Sequence, residues 1–393
     1  MMEIKEQYEK WVYPEPVFDL DKHCELSTHY HDLKELKPFI ENGLGSRPVA
    51  DVLIAGCGTN QAATHAYRNP KIQYTAIDVS SSSLAHQQFL VSKYKLSNLH
   101  LLQLDIRDAH QLNQQFDHII STGVIHHFAD PREPLLVLKS LLRRGGLMNL
   151  MVYGKTMRTG VYMIQEAFTR LHLSQNQEDI KLARLILEKH VDHDHPVSAY
   201  INRARTDLEY DGGIVDTFLN PVDHSFSVLE LLDLLNSCEL ELASWITPWI
   251  YEPRYFFGQT PALLERFSLL EKPQQQQVTD LIVGKIGTHR FLARPHRDDT
   301  KPPLLNPSES STTSNLTLHP LCNLIKKNGL DFVDVVSDKT TLGSLPQEIA
   351  DLLEKKLNLL RESEGTISDA EALKLKPYLD QLIEIGVVYS SIE

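Results

Sequence analysis

VADVLIAGCGTNQAATHA (residues 49–66) decides the fold. An apolar run, Val52-Leu53-Ile54-Ala55, stops at Gly56-Cys57-Gly58 and gives way to a helix-like segment. A buried parallel strand hands over to a helix in this way, across a tight glycine turn. Such a turn lets a ligand approach the backbone and leaves free N–H groups at a helix N-terminus. Nucleotide-binding turns usually carry a third glycine, and here Asn60 and Gln61 stand in its region.

Outward from this stretch, strands and helices alternate. IQYTAIDV (72–79) reads as a strand, and SSSLAHQQFLVSKY (81–94) as a helix opened by capping serines. LHLLQLDI (99–106) is a third strand, followed by a short helix near 108–114, and FDHIIST (116–122) is a fourth. PREPLLVLKSLLRRGG (131–146) reads as a helix with an early proline and glycines just past its end; LMNLMVY (147–153) is the fifth strand. This alternation predicts an α/β, doubly wound Rossmann-like parallel sheet, with ligands outside the carboxyl ends of its strands.

The alternation then stops. Residues 156–210 read as helical, 210–226 (YDGGIVDTFLNPVDHSF) as irregular, and 156–226 together as a helical cap insertion. VLELLDLLNSCEL is a helix, LELASWI and HRFLARP (289–295) are late strands, and KPQQQQ is a solvated turn. The sequence divides into an N-terminal aromatic and helical segment (1–48), a main domain (49–296), a Pro/Ser/Thr-rich linker (297–318) and a small C-terminal α+β module (319–393), winged-helix-like in pattern. In the first segment Leu33, Leu36, Phe39 and Ile40 lie at helical spacing. In the last, 345–361 and 368–386 read as helices.

A chain of 393 residues exceeds one ordinary domain. Its formal charge of −13 opposes a generic nucleic-acid or anionic-membrane binder. The four cysteines make no CxxC pair, which points to a reducing compartment without structural zinc. The charged N-terminus has no signal core, and no run of about eighteen apolar residues occurs. The expectation is a soluble cytoplasmic protein with neither membrane nor nucleic acid as partner.

Asp78 ends the second strand twenty residues after Gly58, where an acid suits two adjacent ribose hydroxyls. Dinucleotides and S-adenosylmethionine both present such a ribose. The dinucleotide pattern needs a third glycine and a clear helix N-terminus for pyrophosphate; Gln61 disfavours both. A plain structural glycine bend is the bland alternative. Asp105 and Ile106 end the third strand, an acid for an adenine amino group beside an apolar wall for its ring. Ser121-Thr122-Gly123 ends the fourth, followed by GVIHHFADP (123–131).

In this order and spacing, residues 52–153 resemble the cofactor-binding core of a class I S-adenosylmethionine-dependent methyltransferase. Gly56-Cys57-Gly58 matches the glycine motif, Asp78 the ribose acid, Asp105 the adenine-edge acid and GVIHHFADP the segment after strand four. AGCGTNQAA and DTFLNPVDHSFS (216–227) resemble an uncharacterised subgroup of that family. The resemblance implies S-adenosyl-L-methionine as cofactor, contacted by Ala55, Gly56, Cys57, Gly58, Asn60, Asp78, Val79, Asp105, Ile106, Thr122 and Gly123. The family carries an acid within the strand before the glycines. Ile54 or Ala55 stands there in this chain, and Tyr13 with the aromatic N-terminal segment is the candidate replacement.

The implied activity is methyl transfer to a small molecule in the first place, and a protein side chain in the second. Candidate proton acceptors are His126, His127, His224, Asp223 and Tyr153, of which His126, His224 and Tyr153 are taken as the catalytic set. Against each imidazole stands a bland reading, helix capping or turn packing. Residues 1–30 and 156–226 are expected to roof the acceptor. HVDHDHP (190–196) has ligand-type residues but follows a helix end, where histidines are favoured anyway, and no metal is assigned. The stripe LARLILEKH reads as core or a homodimer face. The rival function is a methyltransferase-fold protein that binds without catalysis and acts through 319–393.

Overall fold

The computed structural model describes residues 4–26 and 49–296, with the strand segments 316–318, 322–327, 330–335, 340–345 and 388–390. The chain forms two compact units. One comprises 1–27, 47–245 and 280–296, the other 28–46, 246–279 and 297–393.

The first unit is built on an eight-stranded sheet. β1 (Asp51–Ala55), β2 (Gln73–Asp78), β3 (Leu99–Gln103), β4 (Phe116–Thr122) and β5 (Leu142–Gly154) run parallel. β6 (Ser225–Phe226) adds to β5 in parallel, while β7 (Leu240–Trp245) and β8 (Thr288–Pro295) complete the order β3-β2-β1-β4-β5-β8-β7. β8 is antiparallel to both its neighbours. Val52 to Ala55 are fully buried, as a central parallel strand covered on both faces requires. The chain leaves β1 toward β2 on one side and reaches β4 on the other, so the crevice at their carboxyl ends is the switch point where ligands bind.

The sheet's own helices are α3 (Gln61–Arg68), α4 (Ser81–Tyr94), α5 (Arg132–Ser140) and later α11 (Val228–Ser237); α1 (Ile4–Lys10) and α2 (Leu20–Leu26) precede them. α4 opens where the capping serines stand, the Ser80 side chain accepting the Ser83 N–H. Residues 131–146 differ from the sequence expectation of one helix. α5 stops at Ser140, and after Leu141 the thirteen residues 142–154 form β5. Gly145, at φ +82, makes a bulge opposite Asp117, and Arg143 pairs there with Asp51 and Asp117 at 2.7 and 3.1 Å. The glycine pair therefore kinks a strand instead of ending a helix.

The helical insertion holds α6 (Lys155–Arg170), α7 (Gln177–Lys189), α8 (Ser198–Arg203), α9 (Arg205–Leu208) and α10 (Asp211–Phe218). Ile180, Ala183 and Leu187 of α7 enter its core with Val161, Ile164, Phe168, Ile214, Val215, Phe218 and Trp11; Leu182 and Leu185 stay exposed. α10 corrects the irregular reading of 210–226. Its Gly212-Gly213 start hides a helical apolar face, and Gly212 is required because a Cβ would lie 2.9 Å from the Val12 carbonyl.

In the second unit, α12 (Pro253–Phe257), α13 (Pro261–Phe267) and most of α14 (Lys272–Val283) are helical, with Phe257 stacked on Phe267 at 5.5 Å. The expected turn KPQQQQ is the start of α14, with Pro273 at an early helical position where its missing N–H costs nothing. β10 (Cys322–Lys327), β11 (Leu330–Val335) and β12 (Thr340–Leu345) form an antiparallel sheet; β9 (Leu316–Leu318) pairs with β13 (Val388–Ser390). Apart from Leu345, which ends β12, the helices expected at 345–361 and 368–386, and the helical spacing at 33–40, lie outside the described residues. No helix among the described residues is long and apolar enough to cross a membrane.

Candidate active site

The glycine turn closes over β1 with two backbones only glycine adopts readily, Gly56 at φ +75 and Gly58 at φ +55. A Cβ on Gly56 would sit 2.4 Å from Val124 Cγ2. Ile77 O accepts the Gly56 and Cys57 N–H groups at 2.9 and 3.1 Å, and Ala55 and Cys57 are buried beneath the turn. Asp78 Oδ2 accepts the Gly58 N–H at 2.8 Å and Oδ1 the Ser80 N–H at 2.9 Å. Burial pushes this carboxyl up, partly offset by those amides. A carboxylate has about four acceptor positions, so these amides leave room for a further donor.

Gln61, in the place of a third glycine, donates through Nε2 to Thr122 Oγ1 at 2.8 Å and ties α3 to the end of β4. Gly123 follows at φ +76, its N–H donating to Met151 O at 3.1 Å. Asp105 caps the 3₁₀ turn Ile106–Leu112; its carboxylate takes the Arg107 N–H at 2.8 Å and Arg107 NH2 at 2.7 Å. Burial would lift its carboxyl, but the Arg107 contacts hold it below the usual range. Ile106 is buried, and the Val79 carbonyl accepts from Gln103 Nε2. The glycine turn, Asp78, Asp105 and Thr122-Gly123 thus follow the carboxyl ends of β1, β2, β3 and β4, at one edge of the sheet.

The N-terminal segment lies over this edge. Thr59 Oγ1 donates to Pro14 O at 2.9 Å, Asn60 Nδ2 reaches Glu15 O at 3.4 Å, and a Cβ on Gly58 would meet Pro14 Cδ at 3.1 Å. The Glu9 carboxylate takes the N–H groups of Ser81 and Ser82 at the start of α4, and Ser80 Oγ donates to Tyr8 O. On its other side the segment holds the insertion, through Trp11 Nε1 to Gln175 O and Tyr210 Oη to Val12 O.

Beyond β4 the post-strand segment makes a short 3₁₀ turn, Ile125–His127. His126 is fully buried with both ring nitrogens unpartnered, its centroid 3.8 Å from the Tyr153 ring and 4.2 Å from His127. Burial, then His127 and Arg158, depress its basicity well below that of a free imidazole, so it is neutral. Its carbonyl accepts the His224 N–H at 2.9 Å, and His224 Nε2 is buried without a partner. Tyr153 donates to Asp216 Oδ2 at 2.9 Å; burial and Asp216 push its phenol well up, which keeps it a donor.

Three groups of this cluster escaped the sequence reading. Tyr8 Oη donates to Asp216 Oδ1 at 2.7 Å, from a residue 208 positions earlier. Asp216 itself is 2 % exposed. Arg158, fully buried, stacks on Tyr153 with its guanidinium carbon 3.7 Å from the ring centroid and pairs with Asp223, which also takes Gln165 Nε2 at 2.9 Å. Only the DxxLNPxD stretch, which begins at Asp216 and ends at the candidate Asp223, hinted at one of them.

In HVDHDHP, Asp192, His193 and Asp194 bring ligand atoms within 4.8 Å of one another, but all three are exposed. Both carboxylates pair with the His193 ring, at 3.0 and 3.1 Å.

Comparison with known proteins bears on the same core. A family described as "Methyltransferase domain" matches residues 53–148. An uncharacterised protein of Synechococcus sp. is 27% identical over 246 residues, covering 61% of this chain and 59% of its own. An uncharacterised methyltransferase of Mycobacterium tuberculosis is 30% identical over 121 residues, 30% of this chain and 57% of its own. The chain therefore spans under three fifths of these relatives. The structure of PKMT2 from Rickettsia typhi shares the fold at TM-score 0.64 and 16% identity, over 96% of this chain and 78% of that one. PKMT2 is also solved in complex with AdoHcy, TM-score 0.59 at 15% identity, over 90% and 75% of the two chains.

Proposed function

We propose, on the match of residues 53–148 to a methyltransferase domain, that the protein transfers the methyl group of S-adenosylmethionine to an acceptor nucleophile, a small molecule first and a protein side chain second. The observation that carries the reading is the hydrogen-bonded unit of glycine turn and acid, Gly58 N–H on Asp78 Oδ2 at 2.8 Å. Gln61 argues against a dinucleotide, because its side chain fills the place a third glycine would clear and is tied to Thr122.

The residues to hold the cofactor are Gly56, Gly58 and Asn60 at the turn, Asp78 and Val79 at the ribose, Asp105 and Ile106 at the adenine edge, and Thr122 and Gly123 after β4. When bound, S-adenosylmethionine would supply a methyl group already activated by its sulfonium. The protein then has to align the acceptor and keep water out. We assign alignment and proton handling to the imidazoles of His126, His127 and His224, with Tyr153 as a positioning donor, and water exclusion to a lid formed by residues 4–18.

The test is calorimetric titration of the full chain with S-adenosylmethionine, with Asp78→Ala beside it. The expected result is micromolar binding, weakened at least about tenfold in the variant, as loss of charge-assisted hydrogen bonds implies. No binding by the intact protein would overturn the reading.

A further inference from the structure

We propose that Asp216 and His127 select the acceptor, and that it is an aliphatic amine bound as its ammonium. The proposal rests on the methyltransferase reading and deepens it.

Asp216 is a buried carboxylate with neutral partners: Tyr8 Oη on Oδ1 at 2.7 Å and Tyr153 Oη on Oδ2 at 2.9 Å. Burial and Asp216 push both phenols upward, so both keep their hydrogens and donate. Two neutral donors solvate the charge without cancelling it, and a buried charge calls for a cation. The nearby guanidinium, Arg158, is paired with Asp223. Among the described residues, the basic group that meets Asp216 is the His127 ring, with Nε2 3.7 Å from Oδ1.

His127 does not fill that need with its hydrogen on Nδ1. Its Nδ1 lies 2.9 Å from the Val222 carbonyl and 3.2 Å from Asn220 Nδ2, and the shorter contact assigns the hydrogen to Nδ1. Nε2 then turns a lone pair toward Asp216 Oδ1. It is buried and has no hydrogen-bond partner. Two acceptors face each other across 3.7 Å with no donor between them.

An alkylammonium supplies what is missing, a positive charge and several N–H donors on one small head. The surroundings suit a cation too: the Tyr8 ring stands 6.3 Å from His127, and Tyr153 closes the site beside it at 5.8 Å. Asp78 also pushes the Tyr8 phenol upward, so the cluster adjoins the acid assigned to the cofactor. An alcohol gains no charge pairing here, and a carboxylate is repelled. In the transfer the ammonium yields one proton to His127 Nε2, and the freed nitrogen lone pair forms the bond to the methyl carbon. The carbon–sulfur bond breaks with its electrons left on sulfur. The His127 imidazolium is held by Asp216 until the proton leaves to solvent.

The test uses the full chain saturated with S-adenosylhomocysteine. The probes are n-butylamine and its uncharged isostere n-butanol, read by saturation-transfer NMR with competition. The expected result is a preference for butylammonium of at least about tenfold, or ~1.4 kcal/mol, abolished in Asp216→Asn and kept in Asp216→Glu. Tyr153→Phe removes a neutral donor but keeps the carboxylate, and should tighten butylammonium binding. Equal binding of the two probes, no butylammonium binding, survival of the preference in Asp216→Asn, or weaker binding in Tyr153→Phe would each overturn the proposal. So would an Asp216→Asn protein that melts cooperatively but loses S-adenosylhomocysteine affinity, because Asp216 would then hold the cofactor's own amino group. Failure of the intact protein to bind S-adenosylhomocysteine overturns the methyltransferase reading itself, and this inference with it.

Discussion

The Gly58 amide donates to Asp78 Oδ2 at 2.8 Å, which makes one hydrogen-bonded unit of a turn and an acid twenty residues apart. The bond aims the carboxylate back over the turn, so any change in the turn's backbone also moves the group assigned to the ribose.

Gly56→Ala should therefore damage both stability and cofactor affinity. The left-handed φ of +75 costs a side chain about 1 kcal/mol, and the added Cβ collides with Val124 at 2.4 Å. Gly58→Ala meets a milder contact, 3.1 Å to Pro14 Cδ. Thermal melts and S-adenosylhomocysteine titration of the two variants should rank Gly56→Ala clearly worse; the reverse order would contradict the packing described.

Arg158→Met should destabilise the first unit by about 3–5 kcal/mol, because it leaves the buried Asp223 carboxylate without its cation. Arg158→Met with Asp223→Leu should recover much of the loss, since both charges are then gone. Urea unfolding of the single and double variants checks this, and a double variant no better than the single would refute it.

Asp280 gives a pH signature. Burial pushes its carboxyl up to about 6, although Thr156 Oγ1 donates to Oδ2 at 2.7 Å; Oδ1 is buried and unpartnered. The folded state thus keeps a proton that the unfolded chain releases from about pH 4 upward. The group's contribution is present below about pH 4 and lost as pH rises through 6, at most about 3 kcal/mol. Asp280→Asn should melt above the unsubstituted protein at pH 8 and level with it at pH 4. Equal melting at pH 8 would count against it.

Glu9 anchors the proposed lid on α4, where its carboxylate takes two amides and two serine hydroxyls. Burial would raise its carboxyl, but those bonds hold it below the usual range. Glu9→Gln should speed proteolysis within 11–18 and S-adenosylhomocysteine release by about two- to fivefold, a helix-terminus effect damped by exposure. Stopped-flow displacement measures the release; an unchanged rate would mean that cofactor exchange does not pass the segment.

Local pattern made the sheet core readable. β1, α4 and β4 lie where the apolar runs and capping serines put them, because strand period, glycine punctuation and caps act over a few residues. Local pattern also misled. The Gly145-Gly146 pair looked like a helix stop and is a bulge, set by the contact of Arg143 with Asp51 and Asp117. Gly212-Gly213 looked like a loop and begins α10; Gly212 is there because the Val12 carbonyl comes too close for a Cβ.

By itself the sequence determined where the residues assigned to the nucleoside lie: Gly56, Gly58, Asp78 and Asp105 are each fixed by a strand end or a turn, and those are local features. Tertiary structure alone decided the cluster proposed for the acceptor. Tyr8, Tyr153 and Asp216 meet across separations of 208 and 63 residues. No periodicity records such a meeting, because it depends on where three separate elements pack. What brings Asp216 to the two phenols is the burial of Trp11, Ile214 and Phe218 in one shared core.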